Sequence, residues 1–135
     1  MADLTQTRAN VAVGNNAIKY KVVQVGEAVL QGQPGYLSGA KYYQTDANDG
    51  LAKAEAKGIF LTPAATDGWV LLAYGGDINL GATLVVGTTY CVSRTKGAIM
   101  PAADLVTGDA VTHLGIAITT ALMRIGLNPS GVLVP

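Results

Sequence analysis

Ile18-Lys19-Tyr20-Lys21-Val22-Val23-Gln24-Val25-Gly26 alternates polar and apolar side chains over much of its length and is rich in β-branched and aromatic residues. Side chains two apart share a face of a strand, so the stretch predicts a β-strand ended by a glycine turn. Its last four residues, Val23-Gln24-Val25-Gly26, have a counterpart in Ile78-Asn79-Leu80-Gly81, apolar-amide-apolar-glycine in both. The correspondence extends outward. Gly26 to Gly81, Gly32 to Gly87 and Ser38 to Ser93 share a shift of 55 (81 − 26, 87 − 32, 93 − 38). Further on, Gly58-Ile59-Phe60-Leu61-Thr62 matches Gly115-Ile116-Ala117-Ile118-Thr119 at a shift of 57 (115 − 58), the gain a loop allows. One unit is expected to occur twice.

Each unit reads as β. Tyr36-Leu37-Ser38 and Tyr90-Cys91-Val92-Ser93 follow a glycine as a second strand follows a turn, and Trp69 to Tyr74 and Val111 to Thr119 continue the pattern. Glycine recurs about as often as short strands need turns, which predicts an all-β sandwich or barrel. Leu51-Ala52-Lys53-Ala54-Glu55-Ala56-Lys57 has high helix propensity but also alternates strictly. Its place before the Gly-Ile-Phe-Leu block favours a strand. The expected organisation is an extended N-terminal arm over 1–16, ending in the turn Gly14-Asn15-Asn16, then β repeats over 17–74 and 75–135. The repeats form one compact domain or two small lobes.

Composition limits the function. Of 135 residues, 50% are hydrophobic and 13% charged, with a formal net charge of zero; an average domain has roughly 25% charged residues. So short a chain exposes much apolar surface or buries it against partners, and near-zero charge favours association. A subunit of an assembly is expected. Nine Lys and Arg are scattered without a basic run, so no nucleic-acid partner is expected. Apolar runs such as Val70 to Ala73 fall far short of the roughly 18 residues of a spanning helix, so no membrane is expected either. Met1 to Thr7 has neither a basic nor an apolar signal region. A single cysteine, Cys91, leaves no internal disulfide and points to a reducing compartment.

The residues assemble no catalytic pattern. His113, the one histidine, falls inside an expected strand, where a satisfied or interface role outweighs that of a base. Cys91 lies between Tyr90 and Val92, as a small buried hydrophobe does. Asp46-Ala47-Asn48-Asp49-Gly50 starts like a calcium loop but has Gly50 at its fifth position and Lys57 at its twelfth, so a solvated turn is the reading. Gly35 to Lys41 resembles a phosphate loop in composition only. Asp104 and Asp109 flank Thr107-Gly108 as turn formers. Trp69 and the six tyrosines could line a groove or anchor an interface, with core packing the first reading for any one of them. No catalytic, cofactor or metal site is expected.

The string Leu80-Gly81-Ala82-Thr83-Leu84, Val86-Gly87-Thr88, Tyr90, Val92-Ser93 continues into Gly97-Ala98-Ile99-Met100-Pro101-Ala102-Ala103-Asp104-Leu105, Gly108-Asp109 and Leu114-Gly115-Ile116-Ala117. Together with Glu27 to Pro34, Leu61 to Ala65 and Ser130-Gly131-Val132, it resembles a family of small phage head decoration, or cement, proteins, over about residues 22 to 135. The resemblance implies a β-rich protein bound in many copies to the outside of an icosahedral head. Its partner would be the major capsid protein and its form often a homotrimer. No functional residue carries over, since such proteins work through surfaces. On this reading the N-terminal arm reaches the capsid or a neighbour, and its removal leaves the fold intact. The alternative is a tail- or fibre-associated adhesion module that binds glycans through Trp69 and the tyrosines; an enzyme built around His113 is a third, minor reading.

Overall fold

The computed structural model describes residues 3–13 and 18–135; the turn expected at Gly14-Asn15-Asn16 lies outside the described residues. The chain is all-β, as its alternation predicts. Among the described residues eleven strands follow one another: β1 (Val11–Val13), β2 (Lys19–Gln24), β3 (Pro34–Ser38), β4 (Lys41–Gln44), β5 (Ala56–Phe60), β6 (Trp69–Gly75), β7 (Asp77–Leu80), β8 (Thr89–Val92), β9 (Ile99–Pro101), β10 (Ala110–Ala117) and β11 (Leu122–Leu133). They form two antiparallel sheets packed as a sandwich, a five-stranded one ordered β2-β6-β5-β3-β4 and a six-stranded one ordered β1-β7-β11-β10-β8-β9.

Each half of the chain supplies one sheet, and the two share a strand order. Counted from β7, the second half runs β7-β11-β10-β8-β9, the first half's order shifted by five strands, with β1 added outside β7. One of the paired glycine turns corresponds, while Gly26 and Gly81 differ, only Gly81 having a positive φ. Gly32 (φ 86°) donates its N–H to the Phe60 carbonyl at 2.7 Å, and Gly87 (φ 84°) donates to the Ala117 carbonyl at 2.8 Å. Both backbones need the left-handed region that glycine enters without penalty.

Alternation divides the core in two. In β5, Ile59 and Phe60 are both fully buried, as are Leu72 and Ala73 in β6, and neighbours in a strand point to opposite faces. Ile59 and Ala73 join Ile78, Leu80, Leu114 and Met123 in the larger cluster, where β10 and β11 pack across β5 and β6. Phe60 and Leu72 face the other way, into a smaller cluster with Val23, Val25, Val29, Tyr42 and Val70. The five-stranded sheet curls around that cluster. Val25, just past β2, bridges to Tyr42 in β4, and the Gly26 N–H donates to the Tyr42 carbonyl at 2.9 Å. Over the middle of β5 and β6 both faces are thus dry, which is why Val70 to Ala73 reads as a continuous apolar run.

Two expectations need correction. The N-terminal arm is extended, but it packs on its own chain. β1 pairs with β7 (Val11 with Leu80, Val13 with Ile78). Leu4 donates to the Ile99 carbonyl at 2.8 Å, and the Gln6 side chain donates to the carbonyls of Gly32 and Leu80 at 3.1 and 2.9 Å. Residues 3–13 therefore belong to the fold, because the edge of β7 satisfies strand backbone that would otherwise need a neighbour. The segment from Leu51 to Lys57 is also not one strand. Ala52–Ala54 forms a turn of 3-10 helix, Lys53 pairs with Asp49 one turn back, and β5 begins only at Ala56. Helix propensity prevails where Ala54 is buried.

Candidate interaction surface

Cys91 in β8 stands directly across from His113 in β10. Spacing along the chain gave no hint of this pair, since 22 residues separate its members (113 − 91). Cys91 is fully buried, and burial pushes its thiol up to about 11, so it stays protonated at neutral pH. A nucleophilic cysteine needs the opposite shift. The thiol packs, as expected. His113 itself lines a shallow dent of about 370 Å³ with Thr89, Gly115, Ile116 and Arg124 on the solvent face of the six-stranded sheet.

The carboxylates are engaged in structure. Asp46 accepts the Asn48 N–H at 3.0 Å, an Asx turn of the kind expected there, and Asp49 pairs with Lys53. No group of three metal-ligating side chains occurs among the described residues. Asp109 does form its turn, accepting the Val106 N–H at 3.0 Å, but it is also buried against Arg94, whose Nε and Nη2 lie 3.2 and 2.6 Å from it. Arg94 further donates to the Asp104 carbonyl at 3.4 Å. Burial pushes the Asp109 carboxyl up, but hydrogen bonds from Arg94 and Val106 and the guanidinium charge hold it below the ordinary carboxylate value. Sequence reasoning missed Arg94.

The aromatics divide into three groups. Tyr42 and Tyr90 are core residues. Tyr36 and Tyr43 face each other across β3 and β4 with ring centroids 5.8 Å apart. They line a cleft of about 250 Å³ with Gln44, Lys53 and the ion pair of Lys96 and Glu27 (2.6 Å). Trp69 is not core at all: 64% of it is exposed.

Trp69 belongs to an apolar corner. In the register of β2 and β6, Tyr20 opposes Ala73, Val22 opposes Leu71 and Gln24 opposes Trp69, so all six share one face. At Ala73 that face packs against the six-stranded sheet; toward Trp69 it continues past its cover. Tyr20 is 54% and Val22 60% exposed there. Val85 and Val86, in the loop after β7, are exposed as well, as are Val132 and Leu133 near the C-terminus. Contiguous exposed apolar side chains of this kind make the corner a candidate interaction surface. Comparison with family models, with curated proteins and with solved structures finds no match to this chain.

Proposed function

We propose that the protein is a non-enzymatic structural subunit that acts through its surface, and more specifically a phage head decoration protein bound to the major capsid protein on the outside of the virion. The observation that carries this reading is the uncovered face at Tyr20, Val22 and Trp69 on a chain of zero net charge. The resemblance read in the sequence gives that surface its most concrete use.

The mechanism would be added contact at capsomer junctions, where a filled head is under outward stress. A stable interface needs roughly 800 Å² per partner. A homotrimer that engages several capsid subunits makes the later contacts effectively intramolecular and so raises avidity. With the N-terminal arm committed to its own sheet, capsid contact falls to the apolar corner and the loop carrying Val85 and Val86.

The test is co-sedimentation with undecorated expanded heads of the phage that encodes the chain, after light scattering on the free protein. The reading expects saturable binding at a fixed number of copies per capsomer. Protein left in the supernatant at every concentration would sink it. The adhesion reading retains one specific support, the cleft between Tyr36 and Tyr43 beside Gln44 and Lys53, since sugars stack on such rings and bond to such polar groups. Saturable glycan binding that is lost in Tyr43→Ala would favour it.

A further inference from the structure

β2 is an edge strand; past its C-terminal end Val25 bridges to Tyr42 of β4, so its far side is open only over its first residues, Lys19 to Val22, where no strand pairs with it among the described residues. Such an edge presents free N–H and C=O groups to any strand that can approach. Its side chains are sorted. Tyr20 and Val22 lie on the apolar face beside Trp69, while Lys19 and Lys21 are on the other.

Those lysines are distinctive. Of six lysines, Lys41, Lys53, Lys57 and Lys96 have carboxylate partners at 2.6, 2.5, 3.1 and 2.6 Å. Among the described residues, Lys19 and Lys21 have none, and both are on the free edge. Lys21 Nζ lies 5.7 and 5.9 Å from the ring centroids of Tyr42 and Tyr74, which hold the cation in place without neutralising it.

We infer that the β2 edge is a docking site for an extended segment of another protein in which acidic and apolar residues alternate. Such a segment would add a strand beside β2, its apolar side chains over Tyr20, Val22 and Trp69 and its carboxylates at Lys19 and Lys21. Strand addition takes affinity from the backbone and specificity from alternate side chains. The charges decide against a second copy as the occupant: β2 meeting β2 antiparallel about its open end, centred on Lys19, Tyr20 or Lys21, would set lysine against lysine, and like charges across a strand pair are destabilising. Edge lysines also deter indiscriminate pairing, and an acidic strand is the one that meets no such barrier. The site does not depend on the head-decoration reading, and it holds for any protein that supplies the segment.

The experiment titrates the full chain with a synthetic seven-residue peptide alternating Glu and Val, and with its Lys-Val counterpart. Trp69, the sole tryptophan, reports docking by fluorescence, and hydrogen exchange reports the β2 amides. The acidic peptide should shift Trp69 emission to the blue, slow exchange from Lys19 to Val22, and bind several-fold more weakly in 0.5 M salt than in 0.05 M, as screened charges do. The double variant K19E/K21E should lose at least tenfold in affinity and turn to the Lys-Val peptide; K21Q alone serves if the double variant does not fold. Equal binding of both peptides, or no protection of the β2 amides, would overturn the inference. So would a Trp69 shift caused only by phosphatidylserine vesicles, which assigns the surface to lipid, or only by raising the protein concentration, which assigns it to a second copy. No head is present in this experiment, so its failure leaves the co-sedimentation test of the decoration reading untouched.

Discussion

Thr7 donates its amide to the Gly81 carbonyl at 2.6 Å, and Gly81 holds a φ of 71° with its α-carbon turned against that same residue. A Cβ at position 81 would fall on the Thr7 carbonyl oxygen. Gly81→Ala therefore combines left-handed strain with a backbone clash and should cost upwards of about 2 kcal/mol. Gly39, also at positive φ (66°), has open space around it, so Gly39→Ala should cost only the conformational term, about 1 kcal/mol. Thermal unfolding of the two variants checks the order.

The N-terminal residues are expected to stabilise the fold. Removing residues 2–13 deletes β1, the buried Val11 side chain and the bonds from Leu4, Gln6 and Thr7. The melting temperature should fall by more than about 10 °C, at about 4 °C per kcal/mol for a chain of this size. An unchanged melting temperature would restore the arm as a free element.

Acid should weaken the pair of Arg94 and Asp109. The folded carboxyl titrates below its unfolded value of about 3.9, so its stabilisation is fully present above that pH and is lost as pH falls through the folded value. Unfolding followed from pH 5 to pH 2 should show a declining melting temperature, and Asp109→Asn should flatten that decline. At neutral pH, Asp109→Ala should cost about 2 kcal/mol, because it leaves the half-buried Arg94 and the Val106 N–H without their acceptor.

Cys91 should be silent in the native state. With no exposed surface and a thiol pushed up to about 11, it should resist an aromatic disulfide reagent at pH 8 and react at once in 6 M guanidinium. Fast native labelling would show that β8 opens readily and would return Cys91 to the list of reactive groups.

The smaller apolar cluster should matter as much as the larger. Phe60 is fully buried, facing away from the inter-sheet core, with Val23, Val70 and Leu72 around it. Phe60→Ala should cost about 3–5 kcal/mol, measured by denaturant unfolding. A cost below about 1 kcal/mol would mean that the curled sheet collapses around the gap.

Local pattern alone was enough for the all-β class and for most strands. Alternation in Ile18 to Val25, the paired glycines Gly32 and Gly87, and the apolar runs of β6 and β10 each lie within a few residues, and strand geometry acts at that range. The turn at Asp46-Ala47-Asn48 was legible for the same reason, since an Asx turn closes within three positions. The break at Ala52–Ala54 was not, because alternation and helix propensity favoured different answers and the burial of Ala54 settled the matter. Long-range pairing decided everything else. Which sheet edge the N-terminal residues cover, that Cys91 faces His113, that Asp109 is held by Arg94, and that Trp69 is left outside the core all depend on strands brought together from distant parts of the chain. A one-dimensional pattern says that a side chain is apolar; only the packing of one sheet against the other determines whether anything covers it.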